Sequence, residues 1–195
     1  MRYWMDTEFI DDGYTIDLIS IGIVAEDGRE LYMQSPDFDE SHASEWLQQH
    51  VFPYLIPCPH LPPQLQLLLH RGGQCTFEEP EKGIAGAQAD CPWRTREEMK
   101  REILSFMDSL AYGTPELWGW CCAYDFVAFC QLFGTMMDMP QGYPHYMRDF
   151  QQVLDERGIT DDQLPEQAEG LHHALADAKH LKRLWGYIVR NDAWQ

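Results

Sequence analysis

Near the start of the chain, polar and apolar positions follow patterns typical of β-strands. Residues Tyr3–Phe9 form one such segment, and the mostly apolar run Ile16–Ala25 is typical of a central, buried strand. The turn at residues 26–29 then leads into a third segment, Glu30–Gln34. The chain is therefore predicted to open with a three-stranded meander.

Farther along, apolar positions recur at the spacing of α-helices. Thr95 and Glu98 form a capping box at the start of one helix, and Gly158 closes another. The predicted helices cover Ser41–Val51 with Ser41 as N-cap, Thr95 to about Leu110, Ala123 to about Phe133, Tyr146–Arg157, and about Leu171–Arg190; a buried strand covers Glu116–Cys122. This order predicts an α/β fold, with a mixed central sheet flanked by helices.

Between Phe52 and Trp93 the periodicity is lost, and prolines and glycines are frequent. We interpret residues 56–93 as an insertion within a single domain that spans residues 1–195. The insertion contains soft metal ligands, which are Cys58, His60, His70, Cys75 and Cys91. A structural zinc site is conceivable there, although the spacing matches no established zinc pattern.

Acidic residues dominate the charge of the chain, with 32 Asp and Glu against 14 Lys and Arg and a net charge of −18. Such a surface repels long polyanions. This disfavours a protein that binds nucleic acid duplexes non-specifically, but it does not exclude an enzyme that binds one end of a nucleic acid strand. No apolar run is long enough to span a membrane, and the N-terminus lacks the layout of a signal peptide. We therefore expect a cytoplasmic protein with reduced cysteines.

Carboxylates mark the candidate chemistry. Asp6 and Glu8 lie two apart on the first strand, so their side chains share one face, where they repel each other unless a cation lies between them. Asp125 follows a buried strand at the start of a helix, and Asp177 lies within an apolar helix face, where a carboxylate is costly unless it is paired. Oxygen ligands of this kind suit hard divalent ions such as Mg²⁺.

Two histidines precede Asp177, and either one is a candidate general base. His173 is four residues before Asp177 and would share its helix face. His172 is five residues before it, about 140° around a helix, so it reaches the same site only from the loop that leads into the helix. Helix geometry alone does not decide which of the two histidines is the general base.

Taken together, these motifs resemble the DEDDh exonucleases, a superfamily that includes RNase T, oligoribonuclease and the DnaQ-type proofreading subunits. The resemblance rests on Asp6-x-Glu8, on Asp125 after a strand, and on the C-terminal set His172-x-Ala174-x-x-Asp177. The segments 6–13 and 117–132 are most similar to a small bacterial subgroup, the mycobacterial-type 3′–5′ exoribonucleases. The resemblance implies an RNase H-like (DnaQ-like) fold and covers nearly the whole chain outside the insertion.

The same resemblance implies a two-metal 3′–5′ exoribonuclease that releases nucleoside 5′-monophosphates from RNA 3′ ends or short oligonucleotides. Asp6, Glu8, Asp125 and Asp177 would hold two Mg²⁺ or Mn²⁺ ions. The family pattern places the base five residues before the last Asp, which selects His172; His173 falls where related enzymes carry a tyrosine.

Substrate contacts and assembly are also implied by the resemblance. Thr7 and Phe9, which flank Glu8, are expected to contact the terminal nucleotide together with Glu8 and His172. Related enzymes commonly dimerise, so we expect a homodimer.

Other readings stay open at this point. The acidic motifs do not distinguish RNA from DNA, so a DNA 3′–5′ exonuclease is one alternative, and a non-catalytic, metal-dependent nucleotide-binding protein is another. Two basic patches could meet phosphates or could be solvated helix faces. They consist of Lys179, Lys182 and Arg183, and of Arg94, Arg96, Lys100 and Arg101. Trp4 and Trp118 could stack on bases, although tryptophans within strands are more often part of a core.

Overall fold

A mixed, five-stranded sheet forms the centre of the protein. The computed structural model describes residues 1–57, 91–168 and 170–192. Its strands are β1 (Arg2–Asp11), β2 (Ile16–Ala25), β3 (Glu30–Gln34), β4 (Glu116–Gly119) and β5 (Arg148–Asp149). They are arranged in the order β3-β2-β1-β4-β5, with β1 antiparallel to β2 and parallel to β4. The predicted α/β class is confirmed, and the architecture is consistent with an RNase H-like fold.

Helices cover both faces of this sheet. They are α1 (Glu45–His50), α2 (Arg96–Phe106), α3 (Ser109–Tyr112), α4 (Ala123–Gln131), α5 (Phe150–Arg157) and α6 (Ala174–Asp192). Short 3₁₀ turns lie at Glu40–His42, Phe52–Tyr54, Met136–Asp138 and Asp161–Gln163. Within the described residues, no helix combines the length and the apolar character that crossing a bilayer requires.

The alternation of side chains along β1 separates two parts of the core. Tyr3 and Met5 are fully buried in one hydrophobic cluster, together with residues of α2 and α4. Trp4 belongs to a different cluster, with residues of α5 and α6. Because Asp6 and Glu8 continue the series begun by Trp4, they face α6.

Gly22 allows the N-terminus of α6 to approach the sheet closely. It pairs with Asp6 across the β1–β2 ladder. A Cβ at position 22 would overlap with backbone atoms of Ala174 and Leu175, so only glycine leaves room for α6 here. The first turn of α6 is thereby held beside Asp6.

Several predicted boundaries are corrected by capping. Ser44, rather than Ser41, accepts the hydrogen bond from Leu47 N that starts α1. Thr95 and Glu98 form the predicted capping box, but that helix stops at Phe106, and Asp108 caps the separate helix α3. Local hydrogen bonds from a side chain to the backbone decide such boundaries, whereas apolar periodicity continues across them.

The boundaries of two later elements also differ from the predicted ones, because contacts between distant segments determine where these elements begin and end. The strand predicted over Glu116–Cys122 ends at Gly119. Within the segment predicted as the helix Tyr146–Arg157, residues Arg148–Asp149 form the short strand β5, which pairs with β4. The helix α5 begins only at Phe150. A two-residue strand has no periodicity of its own, so only its pairing reveals it.

The predicted insertion lies largely outside the described residues, as do its candidate zinc ligands Cys58, His60, His70 and Cys75. The flanks of the insertion meet each other, because the indole of Trp93 donates to the carbonyl oxygen of Ile56 at 2.6 Å. Gln34 also bonds Ile56, accepting from its N–H at 2.7 Å and donating to its carbonyl at 3.1 Å.

The cysteine prediction is partly wrong. Cys121, Cys122 and Cys130 are free thiols, as expected. Cys91 is disulfide-bonded, which contradicts the expectation of fully reduced cysteines and removes Cys91 as a zinc ligand. The prediction was based on the compartment alone, whereas pairing depends on which residues the fold brings together.

Candidate active site

Three carboxylates converge at the junction of β1 and α6. Asp6 and Glu8 come from β1, and Asp177 comes from the first turn of α6. One oxygen of each lies within 4.8 Å of the others, which is close enough for a single cation to contact all three. We call Asp6, Glu8 and Asp177 the carboxylate cluster.

Asp125 joins this group from the opposite side of β1. It lies in the first turn of α4, is buried, and accepts two hydrogen bonds from Thr7 through the same oxygen, Oδ1. The backbone N–H of Thr7 donates at 2.8 Å, and its hydroxyl donates at 2.6 Å. Thr7 thus holds Asp125 near enough for its charge to act on Asp6, although Asp125 is not one of the three carboxylates that converge within 4.8 Å.

The turn that presents Asp125 is held by a residue that the sequence did not single out. Asp149 Oδ1 accepts from the backbone N–H groups of Cys121 and Gln151, each at 2.9 Å, and Oδ2 accepts from Cys122 N at 3.2 Å. The available signal was the position of Asp149 one residue before α5, which is that of an N-cap. The contacts to Cys121 and Cys122 could not be read from it.

Burial and mutual repulsion raise the pKa values of the site carboxyl groups. For Asp6, burial is the largest cause, followed by the charges of Asp125, Glu8 and Asp177, and all of them raise the pKa. Burial and the charges of Asp177 and Asp125 likewise raise the pKa of Glu8 to about 8. Burial also raises the pKa of Asp177 and of Asp125, against the hydrogen bonds that each accepts. The site therefore favours a bound cation, which would relieve the repulsion.

His172 lies on the turn that leads into α6, as its reach to Asp177 required. Its φ is +64°, in the left-handed region that is uncommon outside glycine but several-fold enriched for histidine. In this conformation its backbone N–H donates to Asp177 Oδ2 at 3.0 Å. The other oxygen of Asp177 accepts from Gln167 Nε2 at 2.6 Å, so both oxygens have a fixed partner.

His173 is engaged elsewhere. Its Nδ1 accepts from the backbone N–H of Ala176 at 3.4 Å, in the position of an N-cap for α6. Its ring stacks on Tyr32 with 4.4 Å between ring centroids, and burial lowers its pKa. The ring of His173 is thus occupied by contacts with α6 and Tyr32, and the catalytic role of either histidine stays a prediction.

A cavity of about 360 Å³ opens beside the cluster, and Asp6, His172 and Asp177 line it together with Trp120 and Gln167. We call it the cluster cavity. Its lining combines carboxylates, including Asp161 and Glu166, with aromatic side chains, so an anionic ligand would need a bound cation here.

The imidazole of His172 also has an aromatic neighbour. Trp46 of α1 meets it edge to face at 4.8 Å and stacks on His50, also at 4.8 Å, while remaining 48% exposed. Trp46 lies within the helix predicted over Ser41–Val51, and its exposure beside His172 could not be read from periodicity.

The two predicted nucleotide contacts on β1 have different environments. Thr7 is buried, with both of its donors engaged by Asp125. Phe9 is half-buried, and its ring centroid lies 5.9 Å from that of Tyr124, which is exposed. Their contacts with a substrate stay predictions. Trp4 and Trp118 are buried in the core rather than available for stacking.

The two basic patches also differ. Arg94 pairs with Glu102 at 2.5 Å, and Arg96 pairs with Asp17, so much of the Arg94–Arg101 patch is neutralised within the protein. On α6, Lys179 pairs with Glu30 at 2.7 Å, and Lys182 donates to the carbonyl oxygen of Ala25 at 2.6 Å.

The fold and the site together define an α/β protein of RNase H-like architecture whose central strand carries a carboxylate cluster suited to divalent cations. A sequence model described as the 3′–5′ exoribonuclease Rv2179c-like domain matches residues 78–189. Two Mycobacterium tuberculosis proteins are each 37% identical to this chain over 192 residues, which is 98% of this chain and 95% of theirs. They are 3′–5′ exoribonuclease Rv2179c, from strain H37Rv, and 3′–5′ exoribonuclease MT2234.1, from strain CDC 1551 / Oshkosh. The chain belongs to the Rv2179c-like 3′–5′ exoribonuclease family.

Proposed function

We propose that this protein is a divalent-metal-dependent 3′–5′ exoribonuclease that removes nucleoside 5′-monophosphates from RNA 3′ ends. Family membership and the names of its two relatives support the reaction class. One structural observation carries the proposal: three carboxylates, with oxygens within 4.8 Å of one another, lie beside a histidine that the backbone holds in place.

The residues present fit Mg²⁺ or Mn²⁺. Asp6, Glu8 and Asp177 offer converging carboxylate oxygens, with Asp125 anchored next to them. Burial and the charges of Asp125, Glu8 and Asp177 all disfavour the charged form of Asp6, so the site needs a compensating positive charge. These four residues would hold a pair of ions, which would supply electrostatic stabilisation of the phosphodiester and of the leaving 3′-oxygen.

The protein's own groups would then orient and deprotonate water. His172 lines the cavity with Asp6 and Asp177, which supports the proposal that its imidazole accepts the proton of the attacking water. The hydrogen bond from His172 N to Asp177 holds the backbone of this residue, and the ring itself is in edge contact with Trp46. Trp46 and Tyr124 are also exposed aromatic surfaces near the site that could stack on the terminal base.

The direct test uses a single-stranded RNA labelled at its 5′ end and a DNA of the same sequence, each with Mg²⁺ or Mn²⁺ and with a chelator. We expect a ladder of RNA shortened from the 3′ end, nucleoside 5′-monophosphate products, and no reaction with the chelator. Cleavage of DNA but not RNA would indicate the DNA exonuclease instead. Metal-dependent nucleotide binding without turnover would indicate a non-catalytic binding protein.

A role in RNA processing, the cytoplasmic location and the homodimer remain predictions within this proposal. Sedimentation of the purified chain measures its oligomeric state. A dimer would allow one subunit to offset the acidic surface of the other near a bound RNA.

A further inference from the structure

A cationic groove lies between α6 and the turn that joins β2 to β3. Its volume is about 790 Å³, and it is lined by Lys179, Lys182, Arg183 and Tyr187 of α6, by Glu30, and by Pro165. Pro165 also lines the cluster cavity, so the two spaces adjoin at this residue. We call this space the α6 groove.

Three cations against one carboxylate make the α6 groove locally positive on a chain whose net charge is −18. Arg183 and Tyr187 are exposed, and Lys179 lies on the same flank of the helix. At about 1.5 Å per residue, Lys179 and Tyr187 are separated by roughly 12 Å along the helix axis. Because the charges on one nucleic acid strand follow at intervals of roughly 3.4 Å in a duplex, the groove is long enough to face more than one phosphate.

The present partners of these cations leave them available. Lys179 pairs with Glu30, but the two side chains are each 43% exposed, and exposed ion pairs contribute little to stability. Arg183 contacts the ring nitrogen Nδ1 of His180 at 3.2 Å, and no charge is neutralised by that contact when the imidazole is neutral. Lys182 donates a hydrogen bond to the carbonyl oxygen of Ala25, which fixes its position, and its positive charge adds to those of Lys179 and Arg183.

We infer that the α6 groove binds the phosphates of single-stranded RNA upstream of its 3′-terminal nucleotide. With the terminal nucleotide in the cluster cavity, the strand crosses Pro165 into the groove, where Lys179 and Arg183 contact phosphates and Tyr187 offers a ring for base stacking. This inference rests on the proposed exoribonuclease function and adds a preference for RNA longer than a dinucleotide.

The test compares turnover of a ribodinucleotide and of a long single-stranded RNA by the wild type and by the Lys179→Gln/Arg183→Gln double variant. We expect kcat/KM on the long RNA to fall about tenfold or more, through KM, while turnover of the dinucleotide is unchanged. Each lost phosphate contact should reduce the slope of log affinity against log salt by about 0.7, so the double variant should lose about 1.4.

Arg157→Gln is the control, because it removes a positive charge from an exposed position on α5 that belongs to neither basic patch and does not line the groove. An equal loss with this control, or an unchanged preference and salt slope in the double variant, would overturn the inference. Equal losses on both RNAs would also overturn it, since they would point to damage at the carboxylate cluster. If the wild type cleaves neither RNA, the proposed function itself fails.

Discussion

The backbone N–H of His172 donates a hydrogen bond to Asp177 Oδ2 at 3.0 Å, so the candidate base and a candidate metal ligand are joined by the main chain. The bond requires the left-handed conformation of His172, whose φ is +64°. Backbone strain of this kind costs about 1–3 kcal/mol and persists where surrounding contacts enforce it. Positioning of the imidazole is therefore coupled to the orientation of Asp177.

This coupling allows the chemistry of His172 to be separated from its backbone role. His172→Asn should lower kcat by about a hundredfold to ten-thousandfold, because the general base is lost. Its thermal stability should stay near that of the wild type, since asparagine tolerates the left-handed conformation. His172→Ala should lose as much activity and should also unfold at a lower temperature. Steady-state kinetics and thermal melts measure both effects, and near-normal turnover by His172→Asn would remove His172 from the mechanism.

Gln167 should orient the side chain of Asp177 through the second carboxylate oxygen, Oδ1. Gln167→Ala removes the donor to Asp177 Oδ1, so that carboxylate can turn away from the cluster. We expect a loss of about 10- to 100-fold in Mn²⁺ affinity or in activity, as for other residues that orient metal ligands. Titration with Mn²⁺ followed by activity measures it. Gln48→Ala, at an exposed position of α1, is the control and should leave both quantities unchanged.

Replacing one cluster carboxylate should stabilise the metal-free protein. In Asp6→Asn, the burial and repulsion that raise the pKa of Asp6 no longer oppose folding. Melting in the presence of a chelator should therefore occur a few degrees higher, about 2–4 °C for each kcal/mol of repulsion that is removed. The stabilisation that Mn²⁺ gives to the wild type should disappear, because a ligand is lost.

Asp12→Asn is the control for this prediction, because this replacement should change the melting temperature in the opposite direction. Asp12 is an exposed carboxylate whose pKa is lowered by the backbone N–H groups of Thr15 and Tyr14, so its charged form supports folding. Its replacement should lower the melting temperature and leave the response to Mn²⁺ intact. A lower melting temperature for metal-free Asp6→Asn would argue against repulsion within the cluster.

Stability of the metal-free protein should depend on pH through Glu8. The pKa of Glu8 is raised from 4.5 to about 8, so the folded state holds this proton more tightly than the unfolded state does. The resulting stabilisation is fully present below pH 4.5 and is lost as the pH rises to about 8. The change is on the order of a few kcal/mol across this interval.

Denaturant unfolding of the wild type and of Glu8→Gln across this pH range isolates the effect. The free energy of unfolding of the wild type, minus that of the variant, should fall as the pH rises. Saturating Mn²⁺ should weaken or reverse the trend, since the cation favours the deprotonated cluster. A difference that is independent of pH would show that Glu8 titrates normally.

The close approach of α6 to the sheet should depend on Gly22. Gly22→Ala places a methyl group against backbone atoms of Ala174 and Leu175, so α6 must move and carry Asp177 with it. We expect about 1–3 kcal/mol of destabilisation and a larger proportional loss of activity. Gly186→Ala, at a helical position with open space around it, should instead stabilise the protein by about 0.5–1 kcal/mol. Denaturant unfolding and turnover assays test this pair.

Much of the site could be predicted from local rules. The two-residue period of a strand places Asp6 and Glu8 on one face, whatever the rest of the chain does. The 100° step of a helix shows that a residue five before Asp177 must lie on the lead-in turn to reach it, and α6 indeed begins only at Ala174. Each of these conclusions depends only on residues close together in the chain.

The tertiary structure decided which distant residues complete the site. The hydrogen bonds of Asp149 to Cys121 and of Gln167 to Asp177, the exposure of Trp46 beside His172, and the disulfide at Cys91 were not foreseen. Strand β5 was missed for the same reason, since pairing with β4 is what defines it. Periodicity and capping are properties of neighbouring residues, whereas these contacts arise only when the sheet order and helix packing bring separate segments together.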